Sequence, residues 1–181
     1  MKFGTTSLPG AYIVELEPHA DERGFFARTF CEREFAARGL PTRFPQCNLS
    51  RNDRARTLRG MHFQAAPYPE AKLVRAVRGG IYDVIVDLRR TSPTFLRWFG
   101  IELSAENARA LFVPENFAHG FLTTEDRTDV FYHMGESFRP EGARGFRWND
   151  ERLGIQWPTV PQVIAERDAH YADFDPEAFD G

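Results

Sequence analysis

The strongest constraint on this chain is its punctuation. Short runs rich in β-branched and aromatic residues recur at roughly 8–12-residue spacing, bounded by Gly, Pro, Asn and Asp, the pattern of an all-β sandwich or barrel. The clearest are TLRGMHFQ (Thr57–Gln64), KLVRAVRG, GIYDVIVDLR, FLRWFGIEL, RALFVP, FAHGFLTT and DVFYHMGESF. Upstream, AYIVELEP and GFFARTF read as strands around the turn HADERG. In YDVIVDL, Tyr82, Val84, Val86 and Leu88 share one face by period-two alternation, and Asp83, Ile85 and Asp87 share the other. One stretch before the C-terminus, CEREFAARGL (Cys31–Leu40), reads as a helix, with Gly39 as its stop. The tail reads as loops and a short helix packed on the β body.

Composition narrows the function classes. With 181 residues, 42% of them apolar and 17 of them Phe, the chain has the means to build one core, so a single domain over 1–181 is expected. The net charge of −3 and the absence of a repeated basic face argue against nucleic-acid binding. Two cysteines, Cys31 and Cys47, form no paired motif and point to free thiols in a cytoplasmic setting. The opening MKFGTTSLPG has no apolar signal core, and no apolar run is long enough to span a bilayer, so neither secretion nor membrane insertion is expected.

Five histidines raise the question of a metal. A barrel metal site needs converging ligands, commonly two histidines two apart. His62 is followed by Phe63 and Gln64, and His119 in AHGF has no partner set. No metal and no cofactor are therefore expected. For His62 alone, a buried imidazole bonded to backbone and a proton-abstracting base both remain open. The neighbouring cations Arg59, Lys72, Arg75 and Arg78 suit a diphosphate at a barrel mouth, or ordinary surface charge. Strict alternation puts Arg59 and His62 on opposite faces; a bulge at Gly60, or a reach around the strand edge, would bring both to one ligand.

Seven segments in fixed order are specific: DERGFF, TLRGMHFQ, KLVRAVRGGIYDVIVDLR, SPTF, IELSAEN, VPENFAHGF and WNDERLGIQWP. Together, from about Pro9 to Asp168, they resemble the dTDP-4-dehydrorhamnose 3,5-epimerase family, metal-free nucleotide-sugar epimerases. The resemblance implies a cupin-like double-stranded β-helix (jelly roll) with short helices. It also implies a homodimer that exchanges N-terminal strands. The implied substrate is a nucleoside-diphosphate 4-keto-6-deoxyhexose, whose ketone acidifies the hydrogens on C3 and C5. Residue by residue, His62 matches the base and Asp168 the carboxylate that orients it. Lys72 matches the cation near the C4 oxygen, and Tyr132 the acid on the opposite face. Arg23 and Phe26 match diphosphate and base contacts contributed by the partner subunit. Gln46 and Asn48 match polar contacts near the nucleotide, with Cys47 between them where relatives often have Asp. Arg59 matches a residue aimed at the substrate, and His119 and Phe121, on one face by alternation, would line the sugar pocket.

Two departures bear on specificity. Where the family commonly carries a glutamate that accepts the thymine N3 hydrogen, this chain has Arg28, a donor only. That substitution suits a CDP-linked sugar or a side chain turned to solvent. Phe138 stands where double epimerases often have a tyrosine, which suits inversion at one carbon, C3 or C5. Two other readings stand beside the epimerase: a 3,4-ketoisomerase on the same barrel, and a non-catalytic sugar-binding jelly roll. The joint presence of His62, Lys72, Tyr132 and Asp168 favours the epimerase.

Overall fold

The computed structural model describes residues 1–177. In chain order the first strands are β1 (Lys2–Thr5), β2 (Tyr12–Glu15), β3 (His19–Asp21) and β4 (Gly24–Phe26), followed by helix α1 (Glu32–Ala36). The barrel strands are β5 (Gln46–Asn52), β6 (Thr57–Gln64), β7 (Lys72–Arg78), β8 (Gly80–Asp87), β9 (Trp98–Ser104), β10 (Ala110–Val113), β11 (Phe117–Thr123) and β12 (Thr128–Met134). Short β13 (Ala143–Gly145) and β14 (Val163–Ile164) precede α2 (Glu166–Ala169).

Two antiparallel sheets face each other, in the orders β1-β2-β10-β7-β12-β5 and β13-β6-β11-β8-β9, with β14 pairing β6 in parallel. The expected jelly roll is thus the observed fold. Its central core lies between the sheets: Val74, Leu111, Val113 and Val130 from the first meet Ile81, Ile85, Phe117 and Phe121 from the second. Val84 and Val86 point the other way, beneath Phe146, Leu153 and Phe174 of the C-terminal segment. The outer face of the first sheet is covered in part by α1, whose Phe35 packs on Val14, Leu73 and Phe112. Both faces of β7 and β8 are largely covered, so most of their residues are buried, the charged Lys72, Arg75, Asp83 and Asp87 included.

Most strands fall where the punctuation put them, and β6 spans the expected Thr57–Gln64. Five were not anticipated: β1, β5, β13, β14 and β3, which occupies the first half of the expected turn HADERG. The helix is shorter than the expected Cys31–Leu40, and Gly39 beyond it adopts φ +66°. Strands β3 and β4 pair with each other alone, all six residues are exposed, and Phe25 and Phe26 show 60% and 76% of their surface. Two isolated strands cannot bury enough apolar surface to be stable unaided. Among the described residues no helix is long and apolar enough to cross a membrane.

Candidate active site

A cavity of about 390 Å³ opens between the sheets. His62 and Arg59 reach it from β6, His119 and Phe121 from β11, Tyr132 from β12, Lys72 from β7, Asn48 from β5 and Asp168 from α2, with Phe138 beside them. The two strands carrying His62 and Tyr132 belong to opposite sheets, so the imidazole and the phenol address one space from two sides.

Four nominated residues lie elsewhere. Gln46 is outside the cavity lining; its amide donates to Asn48 Oδ1 (3.0 Å) and accepts the Phe138 N–H (3.1 Å). Arg23, Phe26 and Arg28 stand on or just after the exposed β3–β4 hairpin, outside their own chain's cavity. Arg23 is paired with Asp21, and Arg28 is exposed, 3.5 Å from Glu34. The grouping of four cations also needs correction. Arg59 and Lys72 line the cavity, but Arg75 and Arg78 do not. Arg75 is three residues from Lys72, so the pleat sends it to the opposite face, where it donates to the Thr29 carbonyl at 2.8 Å.

The Arg59–His62 conflict is resolved by a bulge. His119 pairs with His62 and Phe121 with Arg59, so two steps along β11 match three along β6. Gly60 sits in the offset with φ +127°, a conformation side-chain-bearing residues avoid. Its Cα side is closed as well: a Cβ there would lie 2.6 Å from Gly120 Cα and 3.0 Å from the His119 carbonyl. The extra residue turns Arg59 and His62 toward the same cavity. It also frees the Gly60 N–H, which donates to Asp168 Oδ2 at 3.1 Å.

Asp168 in turn orients the imidazole, its Oδ1 lying 2.8 Å from His62 Nε2. Burial works against ionisation of this carboxyl. The hydrogen bond and charge of His62 and the Gly60 amide outweigh it and hold Asp168 below the ordinary carboxylate range. With Nε2–H given to Asp168, the ring's lone pair is on Nδ1, the atom left to accept a proton. Arg167 lies over the pair, with Nε 3.4 Å from Asp168 Oδ1 and Nη2 3.3 Å from His62 Nε2.

Across the cavity, burial first and the Asp83 carboxylate second push the Tyr132 phenol well above its usual range. The phenol therefore stays protonated at physiological pH. The Tyr132 ring stands 6.1 Å from that of His119 and 6.5 Å from that of Phe121. His119 is itself oriented, Nε2 to Asp83 Oδ1 at 2.7 Å, and Asp83 is fully buried. Lys72 forms a 2.7 Å ion pair with Glu70, and both side chains are buried. Sequence reasoning placed Asp83 on the correct face but gave it no role, and missed Glu70, Ser50, Arg144, Arg167 and Tyr171 in the lining. Among the described residues no cluster of three His, Cys, Asp or Glu side chains could hold a metal ion.

An oriented imidazole on one wall, with a protonated phenol and a buried ammonium on the other, defines an acid–base isomerase built on a jelly roll. Residues 5–175 match the model of the dTDP-4-dehydrorhamnose 3,5-epimerase family, and the chain belongs to that family. It is 46% identical over 173 residues to the dTDP-4-dehydrorhamnose 3,5-epimerase of Methanothermobacter thermautotrophicus, covering 94% of this chain and 92% of that one. Two solved structures are similar throughout. The dTDP-4-dehydrorhamnose 3,5-epimerase of Bacillus anthracis, with TDP and PPi bound, superposes with a TM-score of 0.92 at 39% identity, covering 96% of this chain and 99% of that one. The dTDP-6-deoxy-D-glucose-3,5-epimerase of Legionella pneumophila, in complex with dTDP-4-keto-L-rhamnose, gives 0.91 at 34% identity over 98% and 96%.

Proposed function

We propose that this enzyme inverts C3, C5 or both in a dTDP-linked 4-keto-6-deoxyhexose through an enolate, without a cofactor. One observation carries the reading: His62 and Tyr132 face the same cavity from opposite sheets. His62 Nδ1 removes the proton next to the ketone, and Asp168 stabilises the imidazolium that forms. Lys72 offers its positive charge to the oxygen on which the carbanion delocalises. Tyr132 returns a proton to carbon from the other side, so the centre inverts. Each proton-transfer group of this kind is worth about 10²–10⁴ in rate. His119, Phe121, Asn48 and Phe138 shape the sugar site, and Arg59 takes the diphosphate.

The reading extends to a homodimer of single-domain chains working in the cytoplasm. The hairpin carrying Arg23, Phe26 and Arg28 has no core of its own, and Leu49 (62%) and Val77 (50%) are exposed on the barrel. A second copy would cover this surface and bring Arg23 and Phe26 to its neighbour's nucleotide. Sedimentation at micromolar concentration should give twice the 20.8 kDa chain mass; a monomer that turns over at full rate would remove this part.

Activity is tested by incubating the enzyme with dTDP- and CDP-linked 4-keto-6-deoxyglucose in deuterated water and following C3 and C5 by NMR. Inversion with deuterium incorporation on the dTDP sugar supports the proposal. Ketone migration to C3 would indicate the ketoisomerase, and no exchange would leave a binding module. Preference for the CDP sugar would assign Arg28 a role in base selection, and exchange at one carbon alone would do so for Phe138 in restricting the reaction.

A further inference from the structure

Glu70 is a charged group in the cavity wall that the mechanism above does not use. It lies two residues before Lys72, on the same face as the chain enters β7, and Ala71 between them turns outward into the cluster around Phe35. The segment is pinned: Gly135, just past β12, donates its N–H to the Ala71 carbonyl at 2.7 Å, and a Cβ on Gly135 would lie 3.1 Å from that oxygen. Glu70 Oε1 is 2.7 Å from Lys72 Nζ, with side-chain exposures of 8% and 6%.

The other cations of the wall are held differently. Arg59 donates to Asn52 Oδ1 (2.7 Å) and the Arg51 carbonyl (3.3 Å). Arg144 donates to the carbonyls of Glu141 (2.9 Å) and Ala143 (3.0 Å). Arg167 sits on the His62–Asp168 pair. A guanidinium is rigid and multiply anchored, whereas an ammonium on four methylenes is a mobile point charge. Lys72 has a carboxylate of its own to fix it.

We propose that Glu70 is a positioning residue of the reaction, clamping the Lys72 ammonium by one charged hydrogen bond so that its two other N–H groups serve the keto oxygen. This rests on the reading of Lys72 as the cation that meets the developing enolate. A buried ammonium without a counter-charge pays heavily for burial and relaxes toward solvent or neutrality. Glu70 removes that cost and leaves the charge in place before substrate arrives, the preorganisation on which electrostatic stabilisation depends. The reading above gives the diphosphate to Arg59, so the clamp is expected to act on turnover and not on binding.

The test compares Glu70→Gln, Glu70→Ala and Lys72→Met, each alone and the first combined with the last, on the dTDP-linked substrate. Glu70→Ala is expected to lower kcat about 10–100-fold with KM within about threefold, the scale of a misplaced catalytic group. Glu70→Gln, which keeps an acceptor oxygen and the side-chain volume, should recover part of that loss. If the alanine variant does not fold, the glutamine variant carries the comparison. In the Lys72→Met background Glu70→Gln should cost nothing further, because its effect passes through the ammonium. Wild-type kcat in Glu70→Gln and Glu70→Ala, a change confined to KM, or a full Glu70→Gln loss that persists without Lys72 would each overturn the proposal. A Lys72→Met enzyme with wild-type kcat would instead overturn the role given to Lys72.

Discussion

Gly60→Ala probes the bulge on which the site is built. The added Cβ meets Gly120 Cα at 2.6 Å and the His119 carbonyl at 3.0 Å, both backbone atoms of a strand paired on its far edge to β8. The residue must also hold φ +127°. An unfavourable backbone conformation of this kind costs about 1–3 kcal/mol, and overpacking a tight contact costs about 1–3 more. The sum, about 2–6 kcal/mol, converts to a fall in Tm of roughly 4–24 °C for a chain of this size. If the bulge is expelled to relieve the clash, the register slips by one, His62 rotates away from Arg59, and Asp168 loses the Gly60 amide. Turnover by the folded fraction should then fall by about 10². Calorimetry and single-turnover kinetics on the same preparation separate the two effects. An unchanged Tm would refute the packing argument. A lowered Tm with wild-type turnover per folded enzyme would refute the claim that the bulge aims the catalytic groups.

Three further outcomes follow from the geometry. Phe121→Ala removes a fully buried ring shared by the core and the cavity wall; it should cost about 3–5 kcal/mol by denaturant unfolding, and a loss under 1 kcal/mol would contradict its place in the core. Asp168→Asn should lower kcat strongly, because the amide has one acceptor oxygen for the two donors Gly60 N–H and His62 Nε2–H and no charge to stabilise the imidazolium, while dTDP binding by calorimetry stays near wild type. The stability gap between wild type and Asp168→Asn should also depend on pH. The folded-state pKa of Asp168 is depressed, so its ionised form contributes stability in full above the ordinary aspartate value, and that contribution fades as pH falls through the lower folded value. Urea titrations between pH 7 and 3 check this, and a gap that widens on acidification would have the wrong sign.

Much of this was readable from residue order, and the omissions have physical causes. Alternation alone places His119 beside Phe121 and separates Asp83 and Ile85 from Val84 and Val86, because a pleat leaves no other choice. The same rule, applied to β7, separates Arg75 from Lys72; grouping them by charge overlooked it. Strand β5, QCNLSRN, was missed because an edge strand lining a polar cavity shows Asn48 and Ser50 inward instead of an apolar face. Asp83 became legible as a site residue through its 2.7 Å contact with His119, 36 positions later, a pairing that strand order creates and local pattern cannot show. Gly60 marked the bulge in advance, but its choice over a reach around the strand edge needed the register of β11 against β6.

The division of labour between His62 and Tyr132 is tested most directly by measuring deuterium exchange and inversion separately in His62→Asn and Tyr132→Phe. With the dTDP-linked 4-keto sugar in deuterated water, His62→Asn should neither exchange nor invert. Tyr132→Phe should still exchange hydrogen next to the ketone but return it to the same side, giving no inverted product. Exchange at the wild-type rate without His62, or full inversion without the Tyr132 hydroxyl, would contradict the assignment of base and acid to opposite walls.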